Sequence, residues 1–389
     1  MTSALPPVLL DRTGLEALIQ LLRADGGAVR GPTVRDGAIV IDEVDGIADL
    51  PEGRGDEQDA GRYRLTDRGD AALFGYAVGP HSPKAHLFPA RTLLVRTHRR
   101  GGGFEVEVAD ADADADDGRA GDGAGVALLG VRPCELRAME VQDLVFAAPV
   151  HADPTYTARR ADAVVVVAQC TDPAATCFCT SMGGGPRAES GFDLALTEIL
   201  DGGQRFVVEV GSEQGRELIE RVPHQPAEGG DVDAARSRTA AAAERMTRAV
   251  DAGPLRELLA STLEHPRWDD VASRCLSCAS CTMVCPTCFC SSVEDTTDLT
   301  GDHAERWRRW DSCFTLGHSE LHGGAVHGST RSRYRQWLTH KFGTWHDQFG
   351  VSGCVGCGRC IAWCPVGIDV TVELAALAVD PVATTEQEG

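Results

Sequence analysis

Two stretches of this sequence hold residues whose type and spacing could do chemistry. Cys275, Cys278, Cys281 and Cys285, followed by Pro286, fit the pattern C-x2-C-x2-C-x3-C-P, and Cys354, Cys357, Cys360 and Cys364, followed by Pro365, repeat it. Soft thiolates in such tight steps suit iron–sulfur clusters. Each two-residue gap lets the backbone curl around one corner of a cubane, so that three thiolates reach three irons. The fourth cysteine sits about one helical turn onward, and the proline then redirects the chain. The small residues Ala279, Ser280, Gly356 and Gly358 let backbone N–H groups approach the sulfurs. The spacing predicts two [4Fe–4S] clusters. Zinc is the weaker reading, because it takes paired cysteine knuckles separated by a longer spacer.

In two-cluster ferredoxins the fourth cysteine of each motif ligates the other cluster. On that pattern Cys275, Cys278, Cys281 and Cys364 form cluster 1, and Cys354, Cys357, Cys360 and Cys285 form cluster 2. The 68 residues between Cys285 and Cys354 then become an excursion from the cluster core.

Seven cysteines lie outside both motifs. CTDPAATCFCTS (170–181) and CTMVCPTCFCSS (281–292) echo each other, sharing C-x6-C-x-C and a Thr-Cys-Phe-Cys core. Cys134, Cys170, Cys177 and Cys179 make four thiols, each expected near a strand end or loop, and are candidates for a third cluster. The plain alternative is buried free thiols, since cysteine is among the most buried residue types. Cys288, Cys290 and Cys313 are only three. They could shield a cluster, supply an alternative ligand, or take a fourth ligand such as a nearby histidine. His303, His318, His322, His327, His340 and His346 crowd the excursion, where solvated or core histidines are commoner than ligands. The arginine runs 306–309 and 331–335 read first as a solvated helix face or ion pairs.

Composition supports metal ligation. Fifteen cysteines in a chain whose first residues show no secretory signal suit a reducing cytoplasm, where thiols bind metals rather than pair as disulfides. A net charge of −21 argues against nucleic acid. The strongest apolar run, AVVVVA at 163–168, falls far short of the roughly 18 residues of a membrane span.

The elements that must position these residues are mixed. GLEALIQLLRADGG (14–27) has helical spacing, whereas GAIVIDEV (37–44) and ARTLLVRTH (90–98) look like strands. Residues 126–146 read as a buried strand, a turn carrying Arg132, Pro133 and Cys134, then a helix. DAVVVVAQC (162–170) is a second buried strand and FVVEV (206–210) a third, with a helix after it. The fold class is therefore α+β: an N-terminal α/β-type domain (1–230) with an acidic insertion loop at 109–124, a helical linker (231–265), then a mostly helical, ferredoxin-like two-[4Fe–4S] domain (266–380) with a long excursion at 291–350.

Taken in order, GVRPCELRAME (130–140), ADPTYTARR (152–160), CTDPAATCFCTSMGGGP (170–186), CLSCASCTMVCPTCFC (275–290), WDSC (310–313) and CVGCGRCIAWCPVGID (354–369) resemble the beta subunits of cytoplasmic NAD(P)-linked [NiFe] sulfhydrogenases. The corresponding electron-transfer subunits of anaerobic sulfite reductases look closely similar. GPHSPKAHLFP (79–89) also fits, so the likeness runs across most of the chain. The resemblance implies a cytoplasmic iron–sulfur electron-transfer subunit, beside a flavin- and NAD(P)-binding subunit and a separate [NiFe] hydrogenase or sulfite-reducing subunit. It places the two clusters on the eight motif cysteines. The chain itself shows no dinucleotide or Walker loop and no catalytic triad or paired carboxylates, so no substrate chemistry of its own is expected. A cluster-based redox sensor or scaffold is the reading from another class.

Overall fold

Runs of apolar, β-branched residues with no polar face form strands covered on both sides. Val164–Ala168 (VVVVA) and Ala127–Val131 (ALLGV) are of this kind. They lie parallel, side by side, within an eight-stranded sheet of the computed structural model, which describes residues 6–108 and 125–379. The acidic insertion expected at 109–124 lies outside the described residues. From one edge the sheet runs Gln225–Pro226, Val8–Leu10, Arg205–Val210, Leu194–Ile199, Val164–Ala168, Ala127–Val131, Val29–Arg35, Ala38–Glu43. The four strands from Leu194–Ile199 to Val29–Arg35 pair in parallel, and the pairings outside them are antiparallel.

Alternation along Val164–Ala168 sorts its side chains between two cores. Val166 and Ala168 join Leu15, Leu18, Ile19 and Leu22 of helix Arg12–Gly26, whose first turn is capped by Asp11 accepting from the Gly14 N–H at 2.8 Å. Val165 and Val167 face the other way, against Leu136 and Met139 of helix Pro133–Phe146. Strand Leu194–Ile199 escapes sequence patterning, because its Glu198 disguises a fully covered strand. That carboxylate is buried, where it accepts from the N–H groups of Leu73 and Phe74.

The excursion between the motifs begins with a hairpin. Ser291–Thr297 pairs with His303–Trp310, which pairs in turn with Arg91–Arg100, and that strand with Gly103–Val108. The segment after the first motif is thus threaded onto a sheet from the N-terminal part. Arg308 ties it further: it pairs with Asp153, the N-cap of helix Pro154–Asp162, and lies 4.5 Å over the Phe88 ring.

Helices Arg267–Arg274, Thr330–Thr339 and Val370–Leu377 then gather Trp268, Tyr334, Trp337 and Leu374 around the motif residue Ile361. The helical stretch expected before them is two helices, Gly229–Glu244 and Leu255–Ser261. Among the described residues no helix is long and apolar enough to cross a membrane.

Candidate iron–sulfur site

The two cysteine loops share one backbone conformation. Ser277 and Ala279 of the first have φ of 51° and 65°; Gly356 and Gly358, at the equivalent places in the second, have 67° and 76°. Left-handed turns at these points aim backbone donors inward. The Ser277 N–H donates to Cys275 Sγ and the Gly356 N–H to Cys354 Sγ, each at 3.4 Å, and the Ile368 N–H to Cys364 Sγ at 3.3 Å. Ser277, Gly356 and Ile368 are thus donors to sulfur, and Ala279 and Gly358 supply left-handed turns in the two loops. Glycine is further required in the second loop by contact. A Cβ on Gly356 would lie 2.6 Å from the Cys179 backbone, and one on Gly358 2.5 Å from the Thr176 carbonyl oxygen.

The motifs close on each other. One pocket is lined by Cys275, Cys278 and Cys281 of the first motif and by Cys360 and Cys364 of the second, under Phe314, Tyr334 and Trp337. Burial pushes the Cys275 and Cys281 thiols up, and nearby Cys364 adds to it. Cys360 is pushed up by burial and then by Cys354, Cys357 and Cys285. Thiols crowded in an apolar enclosure, with N–H groups aimed at sulfur, fit a group that binds them as thiolates. Among the described residues no three His, Cys, Asp or Glu side chains converge as ligands of a single ion do.

Cys134, Cys177 and Cys179 pack against the second loop, and Cys170 lies beside Cys177 and Cys179. The Phe178 N–H donates to the Gly356 carbonyl at 2.8 Å, and Cys177 Sγ lies 3.9 Å from the Cys357 carbonyl. Burial pushes all four thiols up, Cys177 being raised further by Cys170 and Cys179, and Cys134 by Cys357 and Cys179. Two buried guanidiniums stand beside them. Arg132 donates to the carbonyls of Phe74 and Tyr76 at 2.7 Å. Arg359 pairs with Glu135 and donates to the Gly79 and His81 carbonyls at 2.8 and 2.7 Å.

Cys288 and Cys290 flank Phe289, whose ring anchors the segment 5.3 Å from that of Trp345. The Cys288 thiol meets Cys285, and that of Cys290 meets Cys313. Hydrogen bonding from Cys313 holds Cys290 down at about 6, with His318 assisting. Hydrogen bonding from Cys288, then the Lys341 ammonium, hold Cys285 well below the usual thiol range. Of the six histidines in the excursion, His318 lies beside these thiols. His303 instead meets Glu305 and His98, and His340 meets Gln348.

The buried cations escaped sequence reasoning, yet two carried a signal. Lysine and arginine total 37, and only Lys84 and Lys341 are lysines. Both are buried, at 4% and 3% exposure. Lys341 donates to Cys285 Sγ at 3.3 Å, Thr287 Oγ1 at 3.0 Å and the Gly353 carbonyl at 2.9 Å. Lys84 donates to the Cys288 carbonyl at 3.2 Å and sits 3.7 Å over the Trp310 ring. Burial lowers Lys84 to about 8; Lys341 feels the same burial, but the charges of Cys285, Cys288 and Cys354 outweigh it and hold the ammonium well above its usual range.

Residues 274–368 match the family described as the 4Fe-4S dicluster domain. Over 254 residues the chain is 34% identical to sulfhydrogenase 2 subunit beta of Pyrococcus furiosus, covering 64% of this chain and 72% of that relative. The chain belongs to the sulfhydrogenase beta-subunit family. No solved structure matches it. In this sulfhydrogenase beta-type chain the dicluster domain takes in all eight motif cysteines together with Cys288, Cys290 and Cys313, whereas Cys134, Cys170, Cys177 and Cys179 lie outside it.

Proposed function

We propose that this chain is the iron–sulfur electron-transfer subunit of a hydrogenase-type complex, passing electrons between a flavin- and NAD(P)-binding subunit and a [NiFe] hydrogenase centre. The observation that carries the reading is the pocket in which Cys360 and Cys364 of the second motif meet Cys275, Cys278 and Cys281 of the first; we assign Cys364 to the first set, and Cys360, which also feels Cys354, Cys357 and Cys285, to the second. In our reading these two crossed sets hold two [4Fe–4S] clusters, and Cys134, Cys170, Cys177 and Cys179 hold a third against the second loop. A bound [4Fe–4S] cluster supplies a one-electron carrier. The chain's own residues do the rest. Phe314, Tyr334 and Trp337 form an apolar wall along the first set, whose Cys278 stays exposed. The N–H groups of Ser277, Gly356 and Ile368 stabilise thiolate charge. Arg359 and Lys341 place positive charge beside the second set.

The test is anaerobic affinity purification from the native cell, with subunits identified and metals counted. The reading expects about eight iron and eight sulfide from the crossed sets, about four more from the third, and a flavoprotein and a nickel protein in the complex. A sirohaem partner instead of nickel would place the chain with the sulfite reductases. Fewer than about four irons after anaerobic reconstitution would sink the electron-transfer reading, leaving a scaffold.

A further inference from the structure

We propose that Cys288, Cys290, Cys313 and His318 form a further iron–sulfur cluster site, with Lys84 as its buried counter-charge. The proposal rests on the crossed ligand sets above, which assign Cys285 to the second motif's cluster.

Charge is the first argument. This chain uses arginine at 35 of its 37 basic positions, and its two lysines come from distant parts of the sequence to one buried spot. Arginine is a broad planar fork, whereas lysine brings a compact point charge. Among the described residues neither ammonium meets a carboxylate; their neighbours are Cys285, the Cys288 carbonyl, Thr287, the Gly353 carbonyl and the Trp310 ring. Lys341 has its anion in Cys285 of the second set, whereas Lys84, on the Cys288 carbonyl, meets none and calls for an anion nearby. A cluster held by thiolates is such an anion.

Ligand geometry is the second. Hairpin register sets Ser291 opposite Trp310, and the Asp311 N–H donates to the Cys290 carbonyl at 2.8 Å, so Cys-Phe-Cys and Trp-Asp-Ser-Cys lie side by side at the hairpin mouth. Each position of that second tetrapeptide then has a task. Trp310 lies under Lys84, Ser312 is bonded to Thr282 of the first motif at 2.7 Å, and Cys313 faces Cys290. Asp311 Oδ2 lies 3.1 Å from His318 Nδ1. A ligating histidine characteristically gives one ring nitrogen to a carboxylate, which turns the other toward the metal. His318 is so held, and it meets Cys290. Three thiols and one imidazole complete the four ligands of a cubane. Each cysteine releases its proton on binding, and the imidazole binds neutral.

The test uses the full chain, reconstituted anaerobically with ferrous iron and sulfide. Iron and zinc are counted, and nitrogen hyperfine coupling is read by pulsed EPR on the reduced protein. The proposal expects Cys290→Ser/Cys313→Ser to bind about four irons fewer than the unaltered chain. It expects a nitrogen-coupled signal that His318→Cys abolishes while keeping the iron, with a lower potential because imidazole raises it. Cys275→Ser/Cys354→Ser should diminish the iron of the crossed sets and leave the nitrogen coupling. Equal iron in the double serine variant, zinc in place of iron, or no nitrogen coupling in the unaltered chain would each overturn the proposal while leaving the crossed sets standing. A chain that binds no iron overturns both. Should the serine variant not fold, the His318→Cys comparison decides alone.

Discussion

Ala279 and Gly358 hold the same place in two loops of the same shape, yet they meet different constraints. Ala279 is an alanine in left-handed backbone, whereas Gly358 combines that backbone with a wall formed by Thr176. Ala279→Gly should therefore leave stability unchanged or raise it by up to about 1 kcal/mol, because relief of left-handed strain is partly offset by the freer unfolded chain. Gly358→Ala should cost more than about 2 kcal/mol and lower iron retention, since strain and contact add. Chemical unfolding of the reconstituted variants reads both, and a Gly358→Ala cost no larger than the Ala279→Gly effect would mean that the Thr176 wall imposes nothing. A second residue sets a pH dependence. Burial lowers the pKa of His340, first among its causes, so the native chain favours the neutral ring. A depressed folded value gives stability that is present above the unfolded value, near 6.5, and lost as pH falls through the folded one. His340→Gln should flatten the fall in stability between about pH 7 and 5; an unchanged slope would assign it to other groups.

At the scale of elements, the hairpin Ser291–Thr297 and His303–Trp310 is the piece that sequence patterning least suggested. Its strands carry Glu, Asp and Arg on both faces, so no apolar alternation marks them. What holds them is partnership with Arg91–Arg100 and single anchors such as Arg308 on Asp153. Both side chains of that pair are largely buried, at 13% and 15% exposure. Arg308→Ala should thus cost about 3 kcal/mol by stranding the carboxylate, and proteolysis should then cut first near the hairpin. Unaltered protection would show that strand pairing alone suffices. By contrast, Val164–Ala168 and helix Arg12–Gly26 were legible at once, because an unbroken apolar run and a clean helical stripe each permit one burial.

For the whole molecule, the cysteine motifs cannot be read as a module apart from the rest. The second loop rests on Cys179 and Thr176, Arg359 is anchored by carbonyls at Gly79 and His81 and by Glu135, and the hairpin needs a strand from the N-terminal part. A fragment of residues 266–379 should fail to retain iron, because it would leave Arg359 a buried cation without its carboxylate, and the loops without their wall. A stable fragment holding about eight irons would contradict this.

The sequence by itself determined the kind of chemistry: tight thiolate spacing marks a 4Fe-4S dicluster domain, and that spacing is a local property of a few backbone turns. It also determined the buried strands and the first helix, where one periodicity dominates. Which cysteines meet across long separations, where Lys84 and Lys341 come together, and why Gly358 must be glycine were decided only by tertiary structure. Those facts depend on contacts between residues hundreds of positions apart, and composition and spacing leave no trace of them beyond one scarce residue type, lysine, placed at a single buried spot.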